Sequence, residues 1–128
     1  IFKTTKGKFI SPKSIEGSYL KSHLIKQVCV VGNGLPGPLA LVVLEETCSK
    51  FPTEEIKKEL FSLKESINQE LQNHEKIEKV IIIKDEWSDE NGLLTPTLKL
   101  KRVPIENKFK NLFEKWLKDE KDVIYEND

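Results

Sequence analysis

Lysines carry the clearest chemical possibilities in this sequence. The stretch "NGLLTPTLKLKR", Asn91 to Arg102, holds Lys99, Lys101 and Arg102 with no acid, histidine or cysteine among them. An ammonium on a long flexible stem can neutralise charge that builds on a phosphoryl or carboxyl oxygen. A second basic group, "TTKGKF", sets Lys6 and Lys8 around Gly7. Glycine lets backbone come close to a ligand. A plainer reading stays open at both places. "TLKLK" alternates, so Leu98 and Leu100 would face inward and Lys99 and Lys101 outward on a half-buried strand. "TKGK" would be a solvated turn.

Other reactive side chains are sparse. Cys29 lies inside an apolar run and Cys48 follows a strand-like segment. That is not a disulfide framework, and a reducing cytosol is the expected setting. His23 and His74 stand alone, without partners at metal-ligand spacing, so no metal site is expected. "GNGLPG" matches the dinucleotide pattern G-x-G-x-x-G at Gly32, Gly34 and Gly37. The pattern works only where a helix follows and points its N-terminus at a pyrophosphate. Here Pro36 and Pro38 interrupt, and "LALVVL" reads as another strand. A glycine-rich hairpin loop is the better reading.

Elements that would position these groups follow from periodicity. "KTTKGKFI" reads as two extended segments around a turn at Gly7. "SPKSIEGSYLKSH" reads as a short helix, with Ser11 as N-cap, Pro12 at the first position, and Ile15 and Tyr19 on one face. Leu24 to Val31 and Pro38 to Glu46 read as strands. From Thr53 to about His74, Ile56, Leu60, Leu63, Ile67 and Leu71 form one helical face. Glu54 and Glu55 suit its first turn. "KIEKVIIIKDE" reads as a buried strand. Pro104 opens a last helix whose apolar face carries Ile105, Phe109, Leu112, Phe113 and Trp116. Residues 119–128 read as a polar tail that frays. The order implies an α+β fold: a small mixed or antiparallel sheet flanked by about three helices.

The 128 residues fit one domain able to bury its own core. Basic and acidic residues balance at 21 each, which leaves no overall electrostatic footprint for nucleic acid or an anionic membrane. Leu39 to Leu44 is far too short to span a bilayer, and no signal-peptide pattern opens the chain. The chain contains no methionine. It is expected to be an excised piece of a longer protein.

Three segments together resemble one family. "ENGLLTPTLKLKR" is similar to the C-terminal signature of AMP-forming acyl-CoA synthetases, especially the long-chain fatty acid branch. "IFKTTKGKFISPKSIE" resembles the segment just past the interdomain hinge in that family. "VVGNGLPGPLALVVLEE" resembles the strand pair between them. The resemblance covers nearly the whole chain, in the expected order. It implies that residues 1–128 are the mobile C-terminal lid domain and that a large N-terminal domain is the partner. It implies ATP-dependent activation of a fatty acid to acyl-AMP, followed by thioester formation with CoA. Aligning the motif makes Lys99 the adenylation lysine, with Leu98 where the commoner form has glycine. Lys101 is the alternative, and Arg102 is expected to anchor the loop. The turn Thr5, Lys6, Gly7 and Lys8 would line the CoA tunnel. ATP, with its Mg2+, would be held mainly by the N-terminal domain, so this chain alone is expected to be inactive. The resemblance implies a cytoplasmic protein, or one peripheral at a membrane in its full-length form. Two other readings remain: a small non-enzymatic α+β binding or regulatory module, and an adenylation domain for another carboxylate substrate.

Overall fold

A computed structural model describes residues 1–128. The first two strands, β1 (Phe2–Lys3) and β2 (Phe9–Ile10), form a small antiparallel hairpin. Helix α1 (Pro12–Leu20) leads into β3 (Ile25–Val31), which turns back as β4 (Leu39–Leu44). Helix α2 (Thr53–Gln69), β5 (Lys79–Ile83), a long loop, α3 (Arg102–Lys118) and β6 (Val123–Tyr125) follow. The main sheet runs β3-β4-β5-β6. β3 pairs antiparallel with β4, whereas β4 with β5 and β5 with β6 are parallel. Three helices on a small mixed sheet make the expected α+β fold.

The near-continuous apolar runs of β3, β4 and β5 have a direct cause: both faces of the sheet are covered. Val28, Val30, Ala40, Val42, Val80 and Ile82 face a core shared with α1 and α2. Cys29, Val31, Leu39, Leu41, Ile81 and Ile83 face a second core. Helix α3 fills that second core with Ile105, Phe109, Phe113 and Trp116, as its periodicity predicts. On α2, Ile56 and Leu60 are buried, and Leu63 and Ile67 pack at the margin of the first core; the helix ends at Gln69, short of the expected His74, and Leu71 packs there from the segment that follows. Asn68 also turns inward, where its amide donates to the Ile77 carbonyl and accepts from the Ile77 N–H.

Three expectations need correction. Ser11 occupies the N-cap position of α1, but its side chain makes no capping hydrogen bond; Pro12 does sit at the first turn. The tail does not fray through residues 119–128. Val123 and Ile124 are buried as part of β6, because β5 would otherwise leave an apolar edge unpaired. Lys79 holds this return in place by donating to the carbonyls of Asp119 and Lys121. The third correction concerns "TLKLK", which is not a strand. Leu98 has φ 66° and is 67% exposed, so the alternation of inward leucines and outward lysines breaks there. Only the single antiparallel bridge Leu94–Leu100 remains of it.

Candidate functional site

The lysine loop fills the gap between β5 and α3, and its apolar residues hold it down. Trp87, Leu93 and Leu94 are buried in the second core. The Trp87 N–H donates to the Gln27 side-chain oxygen, and the Gln27 amide donates to the Trp87 carbonyl, both at 2.9 Å. That fixes the start of the loop to β3. An asparagine turn comes next: Asn91 accepts from the Ser88 N–H and its amide donates to the Glu86 carbonyl.

At the tip the backbone closes on itself. The Thr95 N–H donates to the Lys99 carbonyl at 2.8 Å, and the Lys99 N–H donates to the Thr95 hydroxyl oxygen at 3.0 Å. The Leu98 N–H donates to the Thr95 carbonyl at 2.8 Å. This tight ring requires the left-handed φ at Leu98, a conformation that favours glycine. Pro96, Thr97, Leu98 and Lys99 are all exposed. Lys99 thus leaves a fixed backbone and enters solvent. Lys101 is exposed as well, but its N–H is bound to the Leu93 carbonyl at 2.9 Å, nearer the base of the loop.

Arg102 anchors the far end, as the sequence suggests. Its guanidinium meets both carboxylate oxygens of Glu16, at 2.6 and 3.2 Å, and donates to the Val30 carbonyl at 3.0 Å. Burial works against the Arg102 charge, but Glu16, Cys29 and Glu106 outweigh it, and the guanidinium pKa lies above its ordinary value. The Cys29 sulfur lies 3.6 Å from the same guanidinium. Burial still dominates at that thiol and pushes it up to about 12, so Cys29 is an inert core residue. Burial likewise raises the Glu106 carboxyl against the pull of Arg102.

The other basic group sits on the β1–β2 turn. Gly7 has φ +77°, and its N–H donates to the Thr4 carbonyl at 3.0 Å. Thr5, Lys6, Gly7 and Lys8 are all exposed. This turn rests on the glycine loop between β3 and β4. The Thr5 N–H donates to the Leu35 carbonyl, and the Gly34 N–H donates to the Lys3 carbonyl. Gly32 is needed for the contact, since a Cβ there would lie 2.8 Å from the Phe2 ring. "GNGLPG" is therefore a hairpin loop that props the turn, with no helix after it. No hydrogen bond or ion pair joins the Thr5–Lys8 turn to the lysine loop; each presents its groups separately. No three His, Cys, Asp or Glu side chains converge as metal ligands would.

Sequence reasoning missed Glu16 and Thr95. A signal for Glu16 was present: Pro12, Ile15, Glu16 and Tyr19 form the buried stripe of α1. An acid on an apolar stripe needs a cation close by. Thr95 gave no comparable signal, because its role depends on a backbone ring that no periodicity announces.

The fold that carries the lysine loop and the glycine turn has counterparts in known proteins. Residues 1–121 match the family described as AMP-binding enzyme C-terminal domain. Long-chain-fatty-acid–CoA ligase 6 of Mus musculus is 30% identical over 135 residues, covering 89% of this chain and 19% of the ligase. Ligase 5 of Rattus norvegicus is 32% identical over 139 residues, covering 89% and 20%. The chain thus spans about a fifth of the length of these relatives. Among solved structures, the A-PCP didomain of carboxylic acid reductase from Segniliparus rugosus, in complex with AMP, superposes with TM-score 0.75 at 28% identity, covering 89% of this chain and 17% of that one. The adenylation domain of the carboxylate reductase of Mycobacterium chelonae shares the fold, with TM-score 0.80 at 24% identity over 92% of this chain and 19% of that one. With nearly the whole sequence accounted for by one family and the same fold recurring in adenylation domains, this chain belongs to the AMP-binding enzyme C-terminal domains.

Proposed function

We propose that this chain is the catalytic lid of a long-chain fatty acid–CoA ligase. The observation that carries this reading is the exposed Lys99 on a backbone ring fixed at both ends. In adenylation, the fatty acid carboxylate attacks the α-phosphate of ATP and pyrophosphate leaves. Negative charge accumulates on the transferring group, and Lys99 supplies a cation from a preorganised position. Water is excluded when the lid closes on the large N-terminal domain, which raises the value of that charge. CoA thiol then attacks the acyl-adenylate carbonyl, and AMP leaves. Thr5, Lys6, Gly7 and Lys8 line the CoA path in this second step. Gly7 admits the thiol arm close to the backbone, while Lys6 and Lys8 face its phosphates. The magnesium that accompanies ATP has no ligand set in this chain and would be held on the large domain.

The test joins this chain to its large domain and measures two half-reactions separately. One is fatty-acid-dependent pyrophosphate release. The other is thioester formation from ready-made acyl-adenylate and CoA. Lys99→Ala should lower the first by about 10²–10³-fold, leaving a measurable residual rate, and largely spare the second. If both survive and Lys101→Ala removes the first, the lysine has been misassigned by one alternation.

A second reading, an adenylation domain for another carboxylate, is favoured by the likeness to the reductase adenylation domains. CoA separates the two. A ligase lid makes CoA accelerate the consumption of acyl-adenylate; an adenylation domain serving a different acceptor does not.

A further inference from the structure

The Glu16–Arg102 pair is an odd feature if it serves stability alone. Arg102 is the first residue of α3, where the helix dipole disfavours a cation. No acidic residue in that first turn offsets it. The partner comes instead from α1, and Glu16 is only 6% exposed. A buried pair of this kind often stabilises no better than apolar packing would. What it does provide is geometry. The Glu16 carboxylate takes both arms of the Arg102 fork and also accepts the Val30 N–H at 2.7 Å. Arg102 in turn donates to the Val30 carbonyl. Both outward backbone groups of Val30, on the open edge of the sheet, are thereby closed by the one ion pair.

Lys99 lies three residues before Arg102, so the backbone between them spans at most about 10 Å and has little slack. The Leu94–Leu100 bridge and the Lys101-to-Leu93 hydrogen bond remove more of it. Movement of Arg102 must therefore reach Lys99. We infer that Glu16 is a positioning residue for Lys99: it fixes Arg102, and through it the lysine loop, against the edge of β3. This inference rests on the reading of Lys99 as the adenylation lysine. It also ties that lysine to α1, the helix that follows directly from the Thr5–Lys8 hairpin.

The test is a cycle in the full-length enzyme with Glu16→Gln, Lys99→Ala and the double variant. Glu16→Gln keeps the shape and one acceptor oxygen. On its own it should lower adenylation kcat by about tenfold or more, with KM for ATP within about twofold. Thioester formation from supplied acyl-adenylate should stay near wild type. On the Lys99→Ala background the same substitution should cost less than about twofold, because the group it positions is gone. An equal cost on both backgrounds overturns the inference and leaves the Lys99 reading standing. An intact adenylation rate in Lys99→Ala alone removes the inference together with the reading beneath it. Should thermal melting show Glu16→Gln to be unfolded, Arg102→Lys takes its place in the cycle with the same expectations. That change keeps the charge and removes the fork.

Discussion

Thr95 and Lys99 hold each other by two hydrogen bonds, one between backbones and one from backbone to side chain: the Thr95 N–H on the Lys99 carbonyl, and the Lys99 N–H on the Thr95 hydroxyl. The lysine backbone is thus set by a side chain four residues upstream. Its direction does not depend on where the long ammonium stem happens to point.

Thr95→Val should test that contact. It keeps the shape and removes the acceptor for the Lys99 N–H. Stability should fall by about 1 kcal/mol, the usual net value of one hydrogen bond. Thr95→Ser should stay within about 0.5 kcal/mol of wild type. Urea denaturation of both variants decides it, and equal losses for valine and serine would show that the hydroxyl is not the important group.

Leu98→Gly should not destabilise the domain. The left-handed conformation at Leu98 costs roughly 1–2 kcal/mol that glycine would not incur. Glycine loses about 0.5–1 kcal/mol through its freer unfolded chain. Leu98 is largely exposed, so little apolar burial is forfeited. Stability equal to wild type, or higher by up to about 1 kcal/mol, is the expected result. A clear loss in urea denaturation would mean that the leucine makes a contact its exposure conceals.

Ile124→Ala should cost about 2–5 kcal/mol, the range for truncating a fully buried aliphatic residue. Ile124 is 1% exposed and sits on β6, which completes the sheet. A cost below about 1 kcal/mol would return the C-terminal residues to the status of a loose tail.

Cys29 predicts a specific alkaline sensitivity. Burial raises its folded pKa from the ordinary 9.0 to about 12. Between those values the unfolded chain has lost the thiol proton and the folded chain retains it. Fewer protons are bound by the unfolded state, so stability falls as pH rises from about 9 towards 12. The slope contributed by this group approaches about 1.4 kcal/mol per pH unit. Cys29→Ala should flatten the alkaline limb by that amount relative to wild type in pH-dependent urea denaturation. Parallel limbs for the two proteins would contradict the assignment.

Much of the fold was legible because apolar spacing reports burial directly. The stripe Ile56, Leu60, Leu63 and Ile67 and the face of Phe109, Phe113 and Trp116 lie where periodicity puts them, while Leu71 reaches the same core from beyond the helix end at Gln69. The rejection of the glycine pattern also holds, since Pro36 and Pro38 do precede a strand. Two failures share one cause. In "TLKLK" the alternation was real in sequence, but the Thr95 ring overrode it and turned Leu98 outward. In the tail, the apolar signal is only the short "VIY" of Val123–Tyr125, surrounded by charge. Its burial depends on the free edge of β5, a partner distant in the chain. Glu16 lay in plain view on the buried stripe of α1, but its cation partner could be named only from the tertiary structure.

The double fastening of the lysine loop, Trp87 on Gln27 at one end and Arg102 on Glu16 at the other, has a consequence for turnover. The conformational entropy of that loop is surrendered once, when the domain folds, and not again with every substrate molecule. On the proposed function, what remains to be ordered in each cycle is the ammonium stem and the placement of the domain as a single body. If Lys99 and the Thr5–Lys8 turn act in the two proposed steps, exchanging one for the other requires movement of the whole domain, because the fastened lysine loop has no slack to swing alone.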